Sequence, residues 1–139
     1  MTSLALLQLV SPSLPVGAFS YSEGVEWLVH EGKLVDEVGM LSWLEAELLR
    51  GQLRIEASAQ SPMREALQKW LEEGNDSCKI LVYEWNNWLL ALRDAREMRS
   101  QQRQMGKSLM QLLSELGFSL PDGSCDLAWP MAWAWAGLS

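Results

Sequence analysis

The sequence predicts an all-α protein: a single-domain helical bundle of about six to seven helices over residues 1–139. Three observations carry this. Apolar residues recur at three- and four-residue spacing along most of the chain. No run shows sustained apolar–polar alternation with β-branched residues, the mark of a strand. Hydrophobic residues make up 48% of 139 residues, enough for a real core and too apolar for disorder. No internal repeat or low-complexity linker divides the chain, and one domain is the natural reading at this length.

Leu4–Val10 reads as a short apolar-faced helix. Pro12, Pro15 and Gly17 then make a joint, because proline fixes φ and lacks a donor while glycine accepts conformations other residues resist. A helix is expected over Phe19–Glu31. Phe19, Tyr21, Val25, Leu28 and Val29 share one face, and Ser20 with Glu23 has capping-box spacing. Gly32 is its stop. The next helix runs from an Asp36 N-cap to about Leu49, with Val38, Leu41, Leu44 and Leu48 at helical spacing. Gly51 either ends it or bends it onward through Arg54–Ala59.

A helix is expected after Ser61, with Pro62 in its first position and Met63, Leu67, Trp70 and Leu71 as its buried stripe. The polar run Glu72–Asp76 breaks it. Ser77–Leu92 follows, with Leu81, Trp85, Trp88, Leu89 and Leu92 on one face. Arg93–Leu116 is the longest periodic segment, either continuing that helix or starting afresh. Ala95, Met98, Gln102, Met105, Leu109, Leu112 and Leu116 track its face. Gly117, Pro121 and Gly123 form a loop, and Trp129-Pro130 opens a last helix that is apolar all round. Such a helix is normally buried, although an exposed contact surface is the other reading.

The net charge of −7 disfavours nucleic acid and anionic membranes as partners. The longest apolar run, Leu127–Leu138, is too short to span a bilayer. Residues 1–10 lack the basic flank and cleavage site of a secretory signal. Cys78 and Cys125 lie far apart without CxxC spacing, so a reduced, cytoplasmic protein is expected. His30 is the one histidine and sits before Gly32, where a cation suits a helix C-terminus. Without a His/Cys cluster, no zinc-type site is expected. The acids Glu45/Glu47 and Glu72/Glu73 read as solvated, and only Glu23/Glu26 has facing i,i+3 spacing. There is no phosphate-binding loop, dinucleotide fingerprint or nucleophile elbow. A helical enzyme using Glu23 or Glu26 as acid–base is the least supported reading. Arg93, Arg96, Arg99, Arg103 and Lys107 are five of eleven basic residues. Such a strip on an acidic chain is either a solvated face or a docking surface.

Two blocks resemble the UreF family of urease accessory proteins. They are LLQLVSPSLPVGAFSYSEGVEWLV, Leu6–Val29, and REMRSQQRQMGKSLMQLL, Arg96–Leu113. The resemblance implies an all-α, commonly dimeric, non-enzymatic protein that aids assembly of the nickel metallocentre. It implies binding to UreD (also called UreH), recruitment or regulation of the GTPase UreG, and action on apo-urease. Nickel and GTP would be handled by those partners, with no cofactor bound by this chain. Family members continue past the point equivalent to Ser139, so the chain resembles about their first two-thirds and is expected to lack a C-terminal part. Pro15, Gly17, Phe19, Tyr21, Ser22 and Glu26 match the first block; Glu97, Arg99, Gln104 and Gly106 match the second. Pro15, Gly17 and Gly106 are expected to shape the backbone. Tyr21, Ser22, Glu26, Glu97 and Arg99 are candidates for partner recognition or for a buried network joining the two helices. The alternative is a general helical interaction module, unrelated to urease, whose basic strip docks an acidic partner.

Overall fold

A computed structural model of the protein describes residues 7–18 and 24–138. The described residues form helices and the loops that join them, and no strand. Residues 7–9 are helical, and six longer helices follow. These are α1 (Val25–His30), α2 (Glu37–Arg50), α3 (Gln52–Glu73), α4 (Asp76–Ala91), α5 (Arg96–Glu115) and α6 (Trp129–Ala136). The chain divides into two compact units, Met1–Gly17 with Gln60–Ser139, and Ala18–Ala59. The division falls inside α3.

In the unit Ala18–Ala59, Gly24 in the left-handed region (φ 93°) precedes α1. Phe19, Tyr21 and the Ser20/Glu23 capping box lie outside the described residues. The stop at Gly32 is as expected: φ is 67°, and the amides of Lys33 and Leu34 both return to the Leu28 carbonyl. Asp36 caps α2 through Oδ1, which accepts from the Gly39 amide at 2.8 Å. The apolar stripe of α2 is not core: no residue of the helix is buried, and Val38 and Leu41 are 72% and 57% exposed. Periodicity tells which side chains share a face; it does not tell whether another element covers that face.

Gly51 ends α2 in extended backbone, and the chain re-enters a helix at once. The Glu47 carboxylate makes that possible by accepting from the Gln52 amide at 3.0 Å, supplying a partner for one of the orphan donors at a helix start. The expected start after Ser61 is therefore corrected. α3 begins ten residues earlier, and Pro62 lies within it. An internal proline costs one helical hydrogen bond and crowds the preceding turn, but burial of Met63, Ala66, Leu67 and Trp70 on one face offsets it. Leu71, assigned to that stripe from sequence, is exposed.

In the other unit, α3, α4, α5 and α6 share the core. Asn75 caps α4, its Oδ1 accepting from the Cys78 amide at 2.9 Å. The buried face of α4 is Val82, Asn86, Leu89 and Leu90, a rotation from the expected face. Of the residues assigned to that face, only Leu89 is buried; Leu81 and Trp88 are exposed and Trp85 is half-buried. Residues 92–95 separate α4 from α5, so the long periodic segment starts afresh. Met105, Gly106, Leu109, Met110 and Leu113 are the buried side of α5, with Gln102 among them, whereas Leu116 is exposed. α6 is buried as its all-apolar sequence predicts: Pro130, Met131, Ala132, Ala134, Trp135 and Ala136 are all inside. It packs chiefly on α5 and secondarily on α4. Side chains of α3 reach its backbone, Gln60 Nε2 donating to Pro130 O and Arg64 Nη2 to Gly137 O, both at 3.3 Å.

Candidate functional site

The second sequence block lies on α5. Gly106 is the point where α5 meets the backbone entering α6. A Cβ built there would stand 2.1 Å from the Leu127 carbonyl oxygen and 2.6 Å from Ala128 C. Only a residue without a side chain permits that approach. Opposite, Asn86 of α4 is buried, and its Oδ1 accepts from the Ala128 amide at 2.7 Å. Ala128 is the N-cap position of α6, where Ala has no side chain to offer the helix. Its own N–H would be an unsatisfied donor in the interior without Asn86.

The same face of α4 holds the second half of the connection between α5 and α6. Lys79, Tyr83 and Asn86 are spaced four and three apart, one helical face. Lys79 Nζ is 2.9 Å from Asp122 Oδ2. Tyr83 Oη and Ser124 Oγ are 3.0 Å apart. Partial burial pushes the Asp122 carboxyl up, but the Lys79 ammonium and donors from Ser124 outweigh it and hold the group below its ordinary value. The hydrogen bond to Asp122 raises Lys79 correspondingly. Residues 117–128 thus form a strap that α4 fastens at Asp122, Ser124 and Ala128, with Trp135 Nε1 of α6 donating to the Phe118 carbonyl at 3.3 Å. Gly117 (φ 90°) and Gly123 (φ 67°) supply its turns.

Arg99 is half-buried, and its Nη1 donates to the Arg93 carbonyl and, at 3.2 Å, to that of Asp94. It therefore ties α5 to the segment that leaves α4. Arg93 itself is 6% exposed. The basic strip is consequently not one free surface: Arg96, Arg103 and Lys107 are exposed, while the other two arginines are turned into the fold. Glu97 and Gln104 are exposed on α5, and Glu26 is exposed in the first turn of α1. Pro15 is exposed, and Gly17 has φ 75° with open space where a Cβ would stand. Phe19, Tyr21 and Ser22 lie outside the described residues. The structure thus brings together Arg99 with the 93–94 carbonyls, and Gly106 with 127–128. Sequence reasoning missed Asn86, Lys79 and Tyr83. An asparagine pair between tryptophans on a helix was the available signal, since Asn is a poor helix former and its presence there asks for a partner.

Cys78 and Cys125 are free and half-buried. Desolvation and the nearby Glu73 carboxylate, 3.4 Å from Sγ, push the Cys78 thiol up, away from a reactive thiolate. Among the described residues no group of three or more His, Cys, Asp or Glu side chains could hold a metal ion, and no helix is long and apolar enough to cross a membrane.

These features define an all-α protein in which the polar side chains described above fasten helix to helix. The UreF profile matches residues 34–139, a span that includes the whole α5 block. The urease accessory protein UreF of Nostoc sp. is 44% identical over 113 residues, 81% of this chain and 46% of that protein. That of Synechocystis sp. is 41% identical over 122 residues, 81% of this chain and 49% of that protein. That of Prochlorococcus marinus (strain MIT 9312) is 38% identical over 141 residues, 98% of this chain and 61% of that protein. The last takes in the N-terminal block as well. The chain belongs to the UreF family. It spans about half the length of the first of these relatives. No solved structure matches it.

Proposed function

We propose that this chain acts in urease maturation as a non-catalytic accessory factor, through protein contacts. The observation that carries this is the family match over residues 34–139, together with relatives that bear the name urease accessory protein. In this reading the protein binds UreD/UreH, recruits or regulates the GTPase UreG, and serves nickel delivery into apo-urease in the cytoplasm. It can act as a homodimer. In this reading nickel and GTP stay with the partners.

Within that reading the signature residues take two roles. Arg99, Gly106 and, by the local geometry of its turn, Gly17 shape the fold that presents the surface. Glu26 and Glu97, both exposed, are candidates for contact with a partner, together with Tyr21 and Ser22. Arg99 is a poor arginine finger, because its guanidinium is engaged by two backbone carbonyls and a finger needs freedom to meet the transferring phosphoryl group. Deleting the gene in its host and assaying urease activity and urease-bound nickel tests the reading. Loss of both, restored by the gene in trans, with co-purification of UreD and UreG and no GTP hydrolysis by this chain alone, is the expected result. Fully active, nickel-loaded urease in the deletion strain would overturn it.

A further inference from the structure

The outward side of α4 carries a second feature that the signature residues do not touch. Ile80, Leu81 and Trp88 are 58%, 38% and 47% exposed. Trp85 and Trp88 meet edge to face with centroids 5.5 Å apart. Leu81, Glu84, Trp85 and Trp88 line a shallow cleft of about 340 Å³. A second cleft of about 490 Å³ lies alongside, lined by Asp76, Lys79, Ile80, Tyr83, Glu84 and Asn87. Glu84 is common to both and so forms the ridge between them. Among the described lining residues Lys79 is the one base, and it is committed to Asp122 at 2.9 Å. Among the described residues the ridge therefore carries a negative charge with no free cation beside it, between a hollow walled by Leu81, Trp85 and Trp88 and a more polar one in which Ile80 and the Tyr83 ring supply the apolar surface.

We propose that this face of α4 docks a cationic amphipathic helix of a protein partner. Three features ask for the same occupant. Glu84 takes a lysine or arginine, and the tryptophan faces attract the same cation. The hollows on either side take apolar side chains spaced a helical turn apart, the helix-in-groove mode of recognition. Exposed tryptophan at the centre of such a patch is the residue type that dominates interface energies. A second copy of this chain is a poor occupant. Pairing α4 with α4 would bring Glu84 and Asp76 against their own kind. The exposed bases of α5, Arg96, Arg103 and Lys107, stand among the exposed polar residues Ser100, Gln104 and Gln111 rather than on an apolar stripe. The inference rests on α4 alone and stands or falls independently of the urease reading.

The test uses the whole chain and a short fluorescein-labelled synthetic helix of leucine and lysine, read by anisotropy. A leucine–glutamate helix is the comparison. The expected result is preference for the lysine helix, weakened about tenfold by Trp88→Ser, and reversed toward the glutamate helix by Glu84→Lys. Glu65→Lys, the same charge change on the exposed side of α3, is expected to leave binding unchanged, which separates docking from general attraction to an acidic protein. Both substituted side chains on α4 are exposed, and circular dichroism checks that the variants fold. If Trp88→Ser does not fold, Glu84→Lys alone decides. Equal loss in Glu65→Lys and Glu84→Lys, no binding by the wild-type chain, or a sedimenting dimer that Trp88→Ser converts to monomer would each overturn the proposal.

Discussion

Gly106 and Asn86 are the two positions where one atom decides the packing. Gly106→Ala places a methyl inside the van der Waals envelope of the 127–128 backbone, and backbone cannot swing aside as a side chain can. The expected loss is about 3 kcal/mol, at the upper end for overpacking, read as a lowered urea midpoint. Asn86→Ala removes the acceptor for a buried amide and is expected to cost about 1–3 kcal/mol. Asn87→Ala, on the exposed side of the same helix, should stay within about 0.5 kcal/mol. Of these two, Gly106 was legible in the sequence as a family glycine with an assumed backbone role. Asn86 was not, because its partner lies 42 residues away and no local pattern points to it.

At the scale of elements, helix existence was well marked and helix faces less so. Asp36, Gly32 and Gly117 punctuate the chain as their chemistry dictates, and α6 is buried because every side of it is apolar. The face named for α4 proved largely exposed, because tryptophans drew the apparent stripe outward, and the apolar side of α2, rightly placed on one helix, is uncovered among the described residues. The start of α3 was lost because Glu47 caps it from the preceding helix, a contact with no signature in local spacing. Pro62 gives a test of that correction. If α3 runs unbroken through it, Pro62→Ala should restore an internal hydrogen bond and raise stability by about 1–3 kcal/mol; a start at Pro62 predicts no gain. The strap gives another. Asp122 is depressed in the folded protein, so its contribution is present above the ordinary carboxylate range and is lost as pH falls through the lowered folded value. Lys79 is raised, so its contribution fades only at strongly alkaline pH. Urea midpoints of wild type and Asp122→Asn should therefore differ by a constant amount near neutrality and converge in acid.

For the whole molecule, the two units differ in how much they bury. The described residues of Ala18–Ala59 place only Leu34 and Ala59 among the buried hydrophobics, against a dense set from α3, α4, α5 and α6. Amides of α2 should exchange hydrogen well before those of α5, since local opening follows buried apolar contact; mass-spectrometric exchange of the peptides covering each helix checks this. The Ala128 amide joins no helical ladder, yet its hydrogen bond to Asn86 sits in the interior beside Gly106. Its proton can leave only when α6 lifts away from α4 and α5. That single amide is therefore a built-in gauge of core opening, which a two-dimensional NMR spectrum could follow without a label. In Asn86→Ala its protection should collapse while that of mid-α5 amides persists, separating undocking of α6 from unfolding of the unit.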